Sequence, residues 1–173
     1  MQTAPATDFQ PAVALLEKTP IVFETMLRDL PTELLQWKPS PDRWSISEVL
    51  AHLADIEEVY AERVRRIMAE NSPTLQRYDQ ARAENYSSGT ATEHLARFNT
   101  MRRNIVVFLR GLPASAGMRT AVHSELGTIT LSQLLNEWAG HTLGHLRQIA
   151  ELYRAHAFYP HSGPFQRYSN PKP

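Results

Sequence analysis

Cysteine is absent from the 173-residue sequence. Its absence excludes disulfide frameworks, thiolate metal sites and a protein thiol as nucleophile. An excess of either charge is absent too, because 18 lysines and arginines balance 18 aspartates and glutamates. Without a basic surface to neutralise phosphates, we expect no nucleic-acid partner. Any metal site must use histidine and carboxylate ligands.

Long apolar runs are also missing, since no stretch approaches the roughly 20 apolar residues of a membrane span. Residues 1–9 lack the basic start and apolar run of a signal peptide. We therefore expect a cytoplasmic protein without a membrane partner. An apolar fraction of 42% is ordinary for a globular chain, and the length suits one domain over residues 1–173.

The distribution of proline predicts where long helices can form. The 12 prolines leave three long windows free of proline, residues 42–72, 74–112 and 114–159. Because proline breaks the interior of a helix, each window can hold one long helix. An earlier helical stretch is predicted over about 9–30, with a restart or kink at Pro20.

Three capping boxes predict where the helices in these windows begin. In a capping box, a Ser or Thr and a Glu or Gln three residues later bond reciprocally to free backbone amides. The pairs are Ser45 with Glu48, Thr90 with Glu93, and Thr130 with Gln133. The predicted helices cover residues 46–69, 91–110 and 131–156. Together with the earlier helix they indicate an all-α fold, a four-helix bundle.

The segments outside these helices differ in character. Residues 71–89 form a long polar loop that we expect to help wall a pocket. Residues 119–128 alternate weakly and suit a short β-hairpin or an extended loop before the last helix. Prolines and a glycine after 158 predict a non-helical tail over 159–173, which leaves the core of the domain at about 9–158.

The last predicted helix carries two inward-facing histidines. At about 100° per residue, His141 and His145 fall on the apolar stripe that holds Leu134 and Leu152. Histidines at positions i and i+4 lie one turn apart, where two ring nitrogens can reach one metal ion at about 2.0–2.1 Å. Alone, this spacing more often marks core or interface histidines that are hydrogen-bonded to neighbours.

A third histidine strengthens the metal interpretation. His52 lies about 60° from the centre of the apolar stripe of the helix over 46–69, so it should face a neighbouring helix at the edge of the core. Three histidines leave a coordination position open for water or substrate. We therefore predict a divalent metal ion on His52, His141 and His145. Zinc or nickel suits such a site best, with iron or manganese as alternatives.

Polar neighbours of these histidines are candidates for supporting roles. Asp55 lies one turn after His52 and Glu137 one turn before His141, so either carboxylate can orient an imidazole or act as a catalytic acid or base. Gln148 lies one turn after His145 in the same way, and His123 is a further candidate to face the site. The alternative for each carboxylate is a solvated helix face.

Gly140 and Gly144 each come directly before one of the two histidines of the last helix. A glycine costs a helix interior about 1 kcal/mol relative to alanine, so a compensating gain is expected. Close approach of a helix backbone or a ligand near the metal would supply it. Tight helix packing without any ligand explains the glycines equally well.

Two motifs resemble those of a known family. They are P-x-R-W-S-I-S-E-V-L-A-H-L-A-D-I-E, which ends at Glu57, and T-L-S-Q-L-L-N-E-W-A-G-H-T-L-G-H-L-R-Q-I over 130–149. The chain resembles the DinB-like superfamily, including its YfiT-like metal-dependent hydrolases, over about 15–153. The resemblance implies a four-helix bundle with a histidine triad, whose ligands match His52, His141 and His145.

The resemblance implies a metal-dependent enzyme and leaves its reaction open. A His-bound divalent ion lowers the pKa of a bound water or thiol and so supplies a nucleophile at neutral pH. One expectation is a hydrolase that acts on a small molecule. Since relatives include transferases that use bacillithiol or mycothiol, an S-transferase with an external low-molecular-weight thiol is the alternative. A non-enzymatic, stress-related ligand-binding bundle is the third.

A homodimer is expected because relatives often pair and because aromatic residues lie in segments outside the predicted core. These residues are Trp37, Phe158, Tyr159, Phe165 and Tyr168. An aromatic surface of this kind is typical of protein interfaces. The alternative is a tail that folds back over its own bundle.

Overall fold

Four long helices pack together in the computed structural model, which describes residues 8–79, 88–169 and 171. In chain order the helices are α1 (Gln10–Leu27), the short α2 (Thr32–Gln36), α3 (Ile46–Ala69), α4 (Ala91–Arg110) and α5 (Leu131–Tyr153). The largest interhelical contact joins α3 to α4, while α1 packs on α4, α5 packs on α3, and α1 and α5 contact each other. The predicted four-helix bundle is confirmed, while α2 was not predicted. In the described part of the chain, no helix has the length and apolar character needed to cross a membrane.

The capping boxes form as predicted at the starts of the last three long helices. At α3, the Ser45 hydroxyl accepts from the backbone of Glu48, and the Glu48 carboxylate accepts from the Ser45 amide at 2.7 Å. The boxes of α4 and α5 have the same arrangement. The predicted ends of α3 and α4 are also correct. Helix α5 ends at Tyr153 and not at the predicted 156, because the backbone changes there to a π-helical turn (Arg154–Phe158).

Helix α1 runs through Pro20 without a restart, and the reason lies in its hydrogen bonds. Proline has no N–H to donate to the carbonyl four residues earlier, here that of Leu16. The Thr19 hydroxyl donates to this carbonyl instead at 2.8 Å, and the Arg102 guanidinium adds a longer contact at 3.4 Å. The predicted restart is therefore replaced by one continuous helix.

A small three-stranded sheet accompanies the bundle, and its hairpin connects α4 to α5. Strands β2 (Thr120–His123) and β3 (Gly127–Thr130) form an antiparallel hairpin, which confirms the predicted excursion before the last helix. A third strand, β1 (Thr74–Leu75), pairs with β2 in parallel and was not predicted. Strand β3 ends on Thr130, the N-cap of α5, so the hairpin fixes where α5 begins.

Two apolar clusters form the core, and α3 contributes to both. Its residues from Ile46 to Ala54 belong to one cluster, and those from Ile56 to Ile67 belong to the other. Buried polar side chains lie at the level where the clusters meet: His52, Glu57, Thr19, Arg102 and Thr142. The candidate site therefore occupies the middle of the bundle.

The C-terminal segment corrects the prediction of a non-helical tail. Residues Tyr159–His161 and Gly163–Tyr168 form short 3-10 helices. Pro160 and Pro164 lie in the first turns of these helices, where a missing N–H costs no hydrogen bond. Of the loop predicted over 71–89, residues 80–87 lie outside the described residues.

Candidate metal centre

The three predicted histidines converge on one point between α3 and α5. The Nε2 atom of His141 lies 3.3 Å from Nε2 of His52 and 3.2 Å from Nε2 of His145. One ring nitrogen from each residue lies within 4.8 Å of the others. His52 is 2% exposed, deeper than the predicted edge of the core, while His141 and His145 are half-buried.

The start of α3 places an aromatic ring over this cluster. Trp44 precedes the N-cap Ser45, and its ring centroid lies 5.0 Å from that of His52. The same indole stacks on His145 at 6.4 Å with an interplanar angle of 19°. The capping box thus helps to hold the wall that covers two of the three imidazoles. Sequence reasoning had assigned Trp44 no role at the site.

Gln148 sets the tautomer of His145. Its Oε1 atom lies 2.9 Å from Nδ1 of His145. Because this carbonyl oxygen can only accept, Nδ1 must carry the proton, which leaves the lone pair of Nε2 directed at His141. A partner of this kind is typical of metal-ligating histidines.

The histidine cluster has too few protons to satisfy its own hydrogen bonds. Nε2 of His141 faces a nitrogen of both other rings, yet a neutral imidazole carries one N–H. Nδ1 of His141 is buried and has no hydrogen-bond partner among the described residues. Two nitrogens bound to one ion at about 2.0–2.1 Å lie about 3.1–3.4 Å apart at bond angles near 100–110°. The two distances from Nε2 of His141, 3.3 and 3.2 Å, therefore fit a shared divalent cation.

Electrostatics keep the three rings neutral. Burial lowers the pKa of His52 to about 3 and that of His141 to about 4. Repulsion from His145 and His141 adds to the shift of His52, and repulsion from His145 and Arg102 adds to that of His141. Burial also lowers the pKa of His145, against an opposing effect of the Gln148 hydrogen bond. Neutral imidazole is the form that binds metal, so the ligands are ready at neutral pH.

A cavity of about 760 Å³ opens beside the cluster. His52 and His141 form part of its wall, and so does His123, as the sequence suggested. Tyr78, from the described part of the predicted pocket loop, lines it as well. The apolar part of the wall comes mainly from Ile56, Ile129 and Leu134. A small molecule in this cavity would lie next to the ring nitrogens.

Comparison with known proteins agrees with this geometry. The family model of the DinB superfamily matches residues 15–149. The chain belongs to the DinB superfamily. A relative from Oceanobacillus iheyensis, named "putative metal-dependent hydrolase", is 27% identical over 139 residues, which cover 79% of this chain and 81% of the relative.

A solved structure shares the fold of this superfamily member. It is YfiT from Bacillus subtilis, described as a probable metal-dependent hydrolase with an unusual four-helix bundle topology. The two structures superpose with a TM-score of 0.79 over 90% of this chain and 91% of YfiT, at 21% sequence identity. This likeness supports the helical architecture described above.

The two predicted carboxylates of this DinB-superfamily chain lie in different surroundings. Asp55 accepts a hydrogen bond from Arg97 of α4 at 2.6 Å and is not among the described residues that line the cavity. Glu137 is exposed and lines the cavity together with His141. The structure thus brings Glu137, but not Asp55, to the cavity wall.

The two glycines of α5 have no close neighbour in the described part of the chain. A Cβ atom added to Gly140 or Gly144 would meet no heavy atom within 4 Å there. Both glycines lie on the exposed side of the helix. Neither the close approach nor the tight packing expected from the sequence is found among the described residues.

Sequence reasoning missed a buried polar network beside the histidines. Glu57 and Arg102 form a fully buried ion pair, Trp138 donates to Glu57 through Nε1 at 3.2 Å, and Arg102 donates to Thr142 at 3.2 Å. A signal was present, since Glu57 occupies the buried stripe of α3 three residues before Tyr60. A charged residue on an apolar stripe predicts a buried partner.

Proposed function

We propose that the chain is a metal-dependent hydrolase in which His52, His141 and His145 bind one divalent cation. The observation that supports this most is the convergence of three neutral imidazoles whose Nε2 spacings, 3.3 and 3.2 Å, fit a shared ion. When bound, such a cation lowers the pKa of a coordinated water and supplies hydroxide near neutral pH. The names of the Oceanobacillus relative and of YfiT agree with this assignment.

Three residues of the protein have further roles in the proposed reaction. Gln148 holds the His145 ring with Nε2 turned to the ion, while Trp44 shields the cluster on one side. Glu137 lines the cavity, and its carboxylate, which has no salt bridge to a described residue, can accept a proton from the nucleophile and return it to the leaving group. We assign no proton transfer to Asp55, because Arg97 occupies its carboxylate.

The donor set indicates which ions to test. Three imidazoles favour zinc or nickel, with iron next and manganese least suited. The substrate is a small molecule that fits the cavity beside His141. Thiol transfer remains the alternative reaction, and since the chain has no cysteine the thiol would have to come from outside.

The aromatic surface near the C-terminus bears on the proposed homodimer. Phe158, Phe165 and Tyr168 are exposed, whereas Trp37 packs on the ring of His156 at 5.0 Å and is half-buried. Three of the five aromatic residues thus remain available for a partner copy. Measurement of the molar mass in solution tests this part of the proposal.

Metal uptake tests the proposed site directly. Protein stripped with a chelator and reloaded with zinc or nickel should bind one equivalent, and His141→Ala should abolish this uptake. His161→Ala removes an exposed histidine outside the cavity and serves as the matched control. Uptake of less than about half an equivalent by the wild type, or unchanged uptake by His141→Ala, contradicts the proposal.

The reaction type requires a second assay. Turnover of an activated ester by the metal-loaded protein without added thiol supports hydrolysis. Turnover of an electrophile that depends on an added low-molecular-weight thiol would assign an S-transferase instead. The Glu137→Gln variant should retain metal uptake while losing most of the turnover, because a positioned acid or base contributes about 10²–10⁴-fold.

A further inference from the structure

The charged residues of the cavity wall do not all neutralise one another. Arg77 pairs with Glu125 at 3.0 Å, and both side chains are more than half exposed. Arg63 and Glu137 also line the cavity, yet neither has a salt-bridge partner within 4.0 Å among the described residues. One cation and one anion therefore face the cavity without a charged partner in the described part of the chain.

Arg63 is the less solvated of these two charges. Its side chain is half-buried, and its one hydrogen bond to a described residue is donated from Nη2 to the carbonyl of Gln76 at 2.7 Å. Burial lowers the pKa of Arg63, because partial removal from water disfavours the charged guanidinium. A guanidinium has five N–H donors in a planar fork, so the described residues leave most of its donors unused.

The position of Arg63 relates it to the histidines. It lies on α3 roughly three turns after His52, and its guanidinium carbon is 6.0 Å from the centroid of the Tyr60 ring. Its positive charge helps to lower the pKa of His123 on β2, after the larger effect of burial. Arg63 therefore lies close enough to His123 to act on its charge, about three turns along α3 from His52.

We propose that the cavity selects small molecules with an anionic group, a carboxylate or a phosphate, that pairs with the Arg63 guanidinium. The apolar part of such a ligand would lie against Ile56 and Leu134, which line the same cavity as Arg63 and the histidines. The idea that the reacting bond of a substrate lies beside the histidines rests on the proposed function. The anion subsite at Arg63 does not depend on it.

Binding to the metal-free protein tests this subsite without involving the metal. The probes are benzoate, phenylphosphonate and the neutral analogue benzamide, followed by NMR titration of the wild type. We expect at least one anion to bind about tenfold more tightly than benzamide. If benzoate binds more tightly than phenylphosphonate, the preferred group is a carboxylate. If phenylphosphonate binds more tightly, the preferred group is phosphate-like. Equal binding of all three probes would overturn the proposal.

Variants of one helix assign the effect to Arg63. Arg63→Gln should remove the preference for the anion over benzamide. Arg63→Lys keeps a positive charge and should retain part of this preference, so the test stands even if the glutamine variant misfolds. Arg65→Gln removes an exposed charge of α3 that is not among the described cavity-lining residues, and it should bind like the wild type. An equal loss in Arg65→Gln and Arg63→Gln would refute a specific subsite.

The Glu137→Gln variant provides a test by increased anion affinity, and this test does not depend on the stability of Arg63 variants. Removing the opposing carboxylate from the wall should tighten anion binding several-fold, and unchanged or weaker binding would count against the proposal. Arg63→Gln should also take up metal like the wild type. Failure of wild-type metal uptake would contradict the hydrolase proposal while leaving the anion subsite standing, so the two are distinguishable.

Discussion

The Glu57 carboxylate and the Arg102 guanidinium form a bidentate ion pair, with N–O distances of 2.5 and 2.7 Å, and both side chains are 0% exposed. The pair joins α3 to α4 at the level of the histidines, and Trp138 and Thr142 attach α5 to it. A slip of α5 by one turn, about 5.4 Å, would break both attachments. It would also move His141 away from His52. The buried pair therefore fixes the register on which the triad depends.

Replacement of Arg102 by methionine should destabilise the protein strongly. Glu57 would stay buried without its cation, which costs about 3–5 kcal/mol in comparable cases. The free energy of unfolding from urea titration measures the loss. Arg103→Met is the matched control, because the ion pair of Arg103 with Glu24 is partly exposed, at 62% and 32% of the two side chains, and should contribute less than about 1 kcal/mol. Similar losses in the two variants would show that the buried pair does not hold the bundle in register.

Gln148 should tune metal affinity without forming a bond to the metal. Gln148→Leu keeps the size of the side chain and removes the acceptor for Nδ1 of His145. Loss of such an orienting partner lowers metal affinity by about 10–100-fold. Competition with a chromophoric chelator measures this affinity, and Arg147→Ala, at the exposed neighbouring position, is the control. Equal affinities of Gln148→Leu and the wild type would contradict the orienting role.

The metal-free protein should lose stability as the pH falls below about 6.5. Unfolded histidines take up protons near pH 6.5, whereas in the folded state the pKa of His52 is about 3 and that of His141 about 4. The unfolded state therefore binds more protons below pH 6.5, and the free energy of unfolding declines toward about pH 4. Above pH 6.5 these residues contribute no slope.

Urea unfolding of the metal-free protein across about pH 7.5 to about pH 4.5 measures this decline. His52→Gln replaces one of the titrating rings by a side chain that does not titrate, so its decline should be shallower than that of the wild type. His161→Ala lacks only an exposed histidine and should follow the wild type. A decline of equal slope in His52→Gln would show that His52 is protonated as readily in the fold as outside it.

Local signals explain why the helix starts could be predicted and other features could not. Each capping box lies within four residues, so Ser45, Thr90 and Thr130 determined three helix starts correctly. Strand β1 depends instead on pairing with β2, far along the chain, and no local pattern marks two residues as a strand. The short α2 likewise has no side-chain cap at its N-terminus from which its start could be predicted.

The same distinction applies to the candidate site. Helical periodicity placed His141 and His145 on the buried face, because both belong to one helix. Periodicity could not predict the partner of the Asp55 side chain, because that partner is Arg97 on α4. Nor could it show that Arg102 reaches the Leu16 carbonyl left open by Pro20. Contacts between distant segments decide these outcomes.

Gly144→Ala should stabilise the protein. Alanine is favoured over glycine in a helix interior by about 1 kcal/mol, and an added Cβ meets no heavy atom within 4 Å among the described residues. The melting temperature should rise by about 2–4 °C, with metal uptake unchanged. Gly127→Ala is the contrasting variant, because the φ of Gly127 is 72° and alanine there is strained. A lower melting temperature for Gly144→Ala would mean that a backbone or ligand does approach α5 closely at this position, as the sequence had suggested.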